Sequence, residues 1–216
     1  MNSEIEDRLA ALCSAAASFY QRGLAFGSTG NLSLRIGDEL WVTPTGTSLR
    51  ALTPSQMACV RISDGMALNE NRASKETPFH LAAFRSAGAR ASALVHLHST
   101  YTVALSCLED LDEGKPMPIF TPYFLMRVSP LAVLPYCLPG SPQLAEEVGK
   151  AAIDHDSMLL RNHGSILLGS TLEEAADRCE ELEETAKLWF LLRGEKLRLL
   201  TAAEQQDIWK KFRSSK

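Results

Sequence analysis

Apolar positions along the chain recur with two periods, and the two periods divide it into short, bounded elements. Ile5, Leu9, Leu12, Ala16 and Phe19 recur at helical spacing, predicting an amphipathic helix over 5–22 that stops before Gly23. A strand through Leu34 and Ile36, a turn at Gly37-Asp38 and a return strand over 40–43 read as a hairpin. Thr53-Pro54-Ser55-Gln56 reads as a turn or short helical start, and 59–62 as a strand. A helix is predicted over 77–85, with Pro78 in its first turn. The apolar run Ala93-Leu94-Val95 then leads into a strand that carries His96 and His98. Ser99 is placed to cap a helix running to Leu108. The stretch 111–130 holds four prolines and no period, so it reads as an ordered loop.

Strands follow at 131–134, 158–161 and 165–168, with a turn at Asn162-His163-Gly164 between the last two. Ser141-Pro142 opens a helix to about residue 154, and Thr171-Leu172-Glu173-Glu174, which resembles a capping box, opens one to 192. A final helix is predicted over 201–212. There are no repeats and no linker-like boundary. The pattern therefore predicts one α/β domain over 1–216, a mostly antiparallel central sheet flanked by helices.

Composition narrows the function. At 216 residues the chain can bury a substantial core, and 45% hydrophobic with 22% charged residues is ordinary for a globular protein. A net charge of -4 argues against nucleic-acid binding. No apolar run is long enough to span a membrane, and the start Met1-Asn2-Ser3-Glu4-Ile5-Glu6-Asp7 lacks the pattern of a signal peptide. Five scattered cysteines suit reduced thiols and a cytoplasmic protein.

The candidate chemistry centres on histidine. Residues two apart on a strand share a face, so His96 and His98 can aim at one point with Leu97 turned into the core behind them. The Asn162-His163-Gly164 turn could lift His163 toward them, since Gly164 permits an unusual backbone. Three histidines plus a carboxylate or water make a catalytic metal arrangement. Glu76, at a helix start, is the candidate acid/base. Taken singly, each is also consistent with a strand-end histidine, a turn histidine or a first-turn glutamate. His80, inside a helix, and His155, between two aspartates, are left outside the site. Gly30-Asn31 and Thr45-Gly46 are small-residue loops able to hold an anion, with Ser74 and Lys75 adding a hydroxyl, a charge and a helix N-terminus. No Walker A or Gly-x-Gly-x-x-Gly motif points to a nucleotide.

As a set, Gly30-Asn31-Leu32-Ser33, Thr43-Pro44-Thr45-Gly46, Ser74-Lys75-Glu76, His96-Leu97-His98-Ser99 and Asn162-His163-Gly164 resemble the class II aldolase/adducin-head family, from about Ile5 to Leu192. That resemblance implies zinc, or another divalent transition metal, on His96, His98 and His163. Glu76 would be the acid/base that also reaches the metal. It implies a substrate phosphate on Gly30, Asn31, Thr45, Gly46 and Ser74, with Lys75 as a further anion handle. It also implies a homotetramer with sites at subunit boundaries. Lys75, 121–128 and 180–188 are closer to a decarboxylating branch, which implies loss of CO2 from a 3-oxo-tetronate 4-phosphate to give dihydroxyacetone phosphate through a metal-stabilised enediolate. Aldol cleavage of the L-fuculose-phosphate type, or sugar-phosphate epimerisation, uses the same site. A non-enzymatic adducin-type head would not need the metal set.

Overall fold

The predicted strands come together as one seven-stranded sheet in the computed structural model, which describes residues 3–212. The ends of the expected domain, residues 1–2 and 213–216, lie outside the described residues. The strands are β1 (Asn31–Ile36), β2 (Glu39–Val42), β3 (Ala58–Arg61), β4 (Ala93–Leu97), β5 (Leu131–Leu134), β6 (Ser157–Leu160) and β7 (Gly164–Gly169). Their order is β3-β2-β1-β4-β7-β6-β5, and among these neighbours only β5 and β6 run parallel. The fold is thus α/β with a mostly antiparallel sheet, as the pattern predicts.

Helices cover both faces: α1 (Ser3–Gln21), α2 (Thr77–Ala87), α3 (Thr100–Ser106), α4 (Pro142–Ala151), α5 (Leu172–Leu192) and α6 (Ala202–Phe212). Leu9, Leu12, Ala16 and Phe19 of α1 share one core with Cys179, Leu182 and Ala186 of α5 and with Leu32, Val95, Leu97 and Leu167 of the sheet. Phe79 and Phe84 of α2 share the opposite core with Leu144 and Val148 of α4 and with Leu94, Ile166 and Leu168. Each such Leu or Phe, fully buried, contributes roughly 1.5–3 kcal/mol. Because both faces are covered, β4 is buried at every position and reads as a continuous apolar run, not an alternating one. The alternation survives in direction: Ala93, Val95 and Leu97 enter the α1/α5 core, while Leu94 and His96 point toward α2. The register sets Asn31 beside His96, and His96 beside Ile166, so the ends of β1, β4 and β7 lie in a row.

Five local expectations change. Asn31, expected in a small-residue loop, is the first residue of β1, where it pairs with His96, so the strand begins directly after Gly30. The ladder of β4 ends at Leu97, so His98 lies just beyond the strand. The 111–130 stretch is not all loop: Phe124–Val128 form a π-helical turn whose Phe124, Leu125 and Val128 are buried. Ser99 occupies the N-cap position of α3, but its hydroxyl makes no capping bond. Instead the Glu183 carboxylate of α5 accepts from the backbone N–H groups of Tyr101 and Thr102 at 2.9 and 2.8 Å, because a carboxylate can serve several donors at once. Thr171 does cap α5, accepting from the Glu174 N–H at 3.1 Å, but the Glu174 carboxylate reaches one residue further back, to Ser170. No helix among the described residues is long and apolar enough to cross a membrane.

Candidate metal centre and active site

Three strand ends and one helix start deliver the cluster. His96 is the fourth residue of β4, fully buried, with its ring edge-on to Phe79 of α2. The chain leaves the ladder after Leu97, and the His98 ring folds back to 4.8 Å from that of His96. His163 sits in the connection from β6 to β7, its ring 5.0 Å from His96 and 4.8 Å from His98. The residue with positive φ in that turn is Asn162, at 55°. Gly164 serves another purpose than the expected backbone freedom. A Cβ there would stand 2.4 Å from the Leu97 carbonyl oxygen and 3.1 Å from the His98 ring, so glycine is what lets β7 approach the histidine strand.

Glu76 occupies the N-cap position of α2, yet its carboxylate does not cap the helix. It points into the histidines, with Oε2 3.3 Å from His96 Nε2 and Oε1 3.3 Å from His163 Nε2. His98 Nε2 stands 2.9 Å from His96 Nε2. His96 donates its Nδ1 proton to the Ser165 carbonyl at 2.8 Å, which leaves the Nε2 lone pair facing the cluster. Burial, followed by the imidazoles of His96 and His163, pushes His98 down to about 3, which favours the neutral ring a metal requires. Burial pushes the Glu76 carboxyl up, but the facing rings of His96 and His163 and the hydrogen bond from Asn31 outweigh it and hold the group well below the usual carboxylate range.

Glu76, His96, His98 and His163 together could hold a metal ion, with one ligand atom from each and all of these within 4.8 Å of one another. Two observations fit. Glu76 Oε1 and both ring nitrogens of His163 are buried without hydrogen-bond partners. Leaving such an atom unpaired costs about 1–3 kcal/mol, and a cation would take up the lone pairs of Glu76 Oε1 and of His163 Nε2, the ring nitrogen that faces the carboxylate. Tetrahedral bonds of about 2.0–2.1 Å set ligand atoms roughly 3.3 Å apart, and the separations of 2.9, 3.3 and 3.3 Å are of that size.

The cluster closes one end of a cavity of about 870 Å³. Nine of the ten predicted site residues line it: Gly30, Asn31, Thr45, Gly46, Ser74, Lys75, Glu76, His98 and His163. The tenth, His96, lies buried behind them. Lys75 is the one Lys or Arg among the described residues of the lining. Gly30, at φ +80°, presses against the His96 carbonyl, where a Cβ would stand 3.0 Å away. Asn31 has its carboxamide turned to the cluster: Nδ2 donates to Glu76 Oε2 at 2.7 Å. His155 lies elsewhere, in a second cavity beside Leu131 and Trp209.

His80 is the residue that sequence reasoning missed. It is fully buried, with Nε2 2.5 Å from Asn31 Oδ1 and Nδ1 2.7 Å from Ser33 Oγ. Burial, and then His96, push it down to about 3. One signal was available: His80 follows Glu76 by four residues on a helix, and Ser33 follows Asn31 by two on a strand, so each pair shares a face.

The class II aldolase and adducin N-terminal domain model matches residues 10–190. The 3-oxo-tetronate 4-phosphate decarboxylase of Haemophilus influenzae is 47% identical over 192 residues, 88% of this chain and 90% of that one. An L-fuculose phosphate aldolase of Methanococcus maripaludis is 35% identical over 173 residues, 80% of this chain and 91% of the other. The crystal structure of YgbL from Escherichia coli superposes with a TM-score of 0.91 at 42% identity, covering 94% of this chain and 98% of that one.

Proposed function

The chain belongs to the class II aldolase and adducin N-terminal domain family, whose similar members named above are lyases, and from that membership we propose that it decarboxylates a 3-oxo-tetronate 4-phosphate to dihydroxyacetone phosphate and CO2. The observation that carries the proposal is the meeting of Glu76 and three histidines at one end of the cavity that Thr45, Ser74 and Lys75 line. That site would bring a metal-ligand set and a polar wall to one substrate. The 47% identity to named decarboxylases ranks this reaction above aldol cleavage, the activity in the name of the 35% identical relative.

The roles divide as follows. His96, His98 and His163, with Glu76, would hold zinc, the ion best suited to imidazole and carboxylate donors in a site with an exchangeable position. When bound, the metal supplies Lewis-acid stabilisation of the negative charge that builds on the substrate oxygens as the C1–C2 bond breaks. Gly30, Asn31, Thr45, Gly46 and Ser74 would receive the phosphate, with the Lys75 ammonium offsetting its charge. The reaction consumes one proton, which ends on C2. Glu76, held ionised at rest, would take that proton up and hand it to C2. The same proposal places the enzyme in the cytoplasm as a single-domain protomer of a homotetramer; sizing the purified protein by light scattering tests the last point.

The deciding assay offers the zinc-loaded protein 3-oxo-tetronate 4-phosphates and L-fuculose 1-phosphate while following CO2 and aldehyde. Release of CO2 with dihydroxyacetone phosphate supports the proposal. Aldehyde from fuculose phosphate without CO2 from the oxo acids replaces it with the aldolase reading. A protein that binds no metal and turns over neither would stand with non-enzymatic adducin-type heads.

A further inference from the structure

We propose that Ser33, His80 and Asn31 form a chain of positioning residues that holds the Glu76 carboxylate in its working orientation, an assignment that rests on Glu76 being the proton carrier. The chain arises from two periodicities meeting. Asn31 and Ser33 share one face of β1, and Glu76 and His80, one helical turn apart, share one face of the α2 start. Where the two faces meet, the four side chains alternate: Ser33, His80, Asn31, Glu76. Contacts of 2.7, 2.5 and 2.7 Å join them in series. Ser33 and His80 are fully buried and Asn31 is 5% exposed, so water does not replace any of these partners.

The hydrogen bonds run in one sense. An ionised carboxylate only accepts, so the Asn31 amide must present Nδ2 to Glu76. Its Oδ1 then faces His80, and a carbonyl oxygen only accepts, so His80 must donate from Nε2. The neutral ring has an unprotonated Nδ1, and the Ser33 hydroxyl donates to it. Turning the Asn31 amide over would set two acceptors against each other at Glu76. The tautomer of His80 therefore fixes the Asn31 amide, and that amide fixes Glu76 between His96 and His163. A series of polarised hydrogen bonds in a dry site is stiffer than its links taken separately. A histidine that merely filled the core would need neither the Asn31 contact nor a defined tautomer.

Two measurements test this. In the intact protein, ¹⁵N-labelled histidine NMR should show one buried imidazole protonated at Nε2 only, and that signal should vanish in His80→Phe. An Nδ1-protonated His80 overturns the chain, whatever the enzyme's activity. In the 3-oxo-tetronate 4-phosphate assay, His80→Phe and the milder Ser33→Ala should lower kcat, by about 10–100-fold for His80→Phe, the usual loss for partners one step from a metal site. KM and zinc content should change little. In a Glu76→Gln background the same substitutions should change kcat less than about two-fold, since residues that act through one group lose their effect with it. Equal losses in both backgrounds would make His80 a packing residue and leave the role of Glu76 intact. Wild-type turnover in Glu76→Gln alone would overturn the proton carrier and the chain together.

Discussion

Gly164→Ala places the heaviest demand on the site with the smallest change. The added Cβ would stand 2.4 Å from the Leu97 carbonyl oxygen, 0.6 Å inside the 3.0 Å that real Cβ contacts respect, and 3.1 Å from the His98 ring. The carbonyl is backbone, flanked by the Leu97–Ser165 pairing of β4 and β7, so it cannot swing aside as a side chain would. Overpacking of this kind costs about 1–3 kcal/mol, and a backbone clash belongs at the upper end. For a domain near 200 residues each kcal/mol moves Tm by about 2–4 °C, giving an expected loss of roughly 6–12 °C. The same displacement separates His98 from His163. Coordination tolerates about 0.2 Å, so the alanine variant should bind zinc at least ten-fold more weakly, as measured by competition with a chromogenic chelator. Gly114→Ala is the control: its Cβ meets only an Asp112 side-chain oxygen at 3.4 Å, and both readouts should stay at wild type. If Gly164→Ala melts within 2 °C of wild type and keeps full zinc affinity, the close approach of β7 to His98 is not what the glycine provides.

Other expectations follow from the same geometry. Glu76→Gln should retain zinc by elemental analysis, because three imidazoles remain, while kcat falls by about 10²–10⁴-fold, the range of a positioned proton carrier. Lys75→Ala should raise KM for a phosphorylated substrate roughly ten-fold with little effect on kcat, and Thr45→Ala should do the same more weakly, since charged hydrogen bonds outweigh neutral ones; unchanged KM in both would return these loops to ordinary turns. Burial pushes the Cys13 thiol up to about 11, burial and then Glu39 push Cys59 up to about 12, and burial raises Cys179 as well. Cys137 is also buried and Cys107 is exposed. Thiol titration at pH 8 should therefore find one fast-reacting cysteine in the native chain, lost in Cys107→Ser, and all five after unfolding.

What could be read from the chain was what local spacing controls. His96 and His98 were legible because a period of two needs no knowledge of the rest of the fold, and their rings do converge even though the ladder ends between them. The helices were legible from their apolar stripes for the same reason. The π-helical turn was not: Pro122 and Pro130 bracket it, and the apolar residues between them, Phe124, Leu125, Met126 and Val128, carry no period of their own. The capping of α3 was misread because its partner, Glu183, arrives from a helix far along the chain and outcompetes the local serine.

His80 shows where such reading stops. Alone, a histidine inside a helix is as well explained by core packing as by function, and the four-residue spacing from Glu76 says only that the two share a face. Its meaning comes from Asn31, 49 residues away, and that contact exists because α2 packs on the face of β1 opposite α1. The Gly164 misreading has the same root. A glycine beside a turn suggests backbone freedom, whereas the reason for this one is a neighbouring strand that only the order β1-β4-β7 brings against it. Spacing decides which side chains a strand or helix can present together. Sheet order decides which of those presentations meet, and at this site it makes one face of a strand complete one face of a helix.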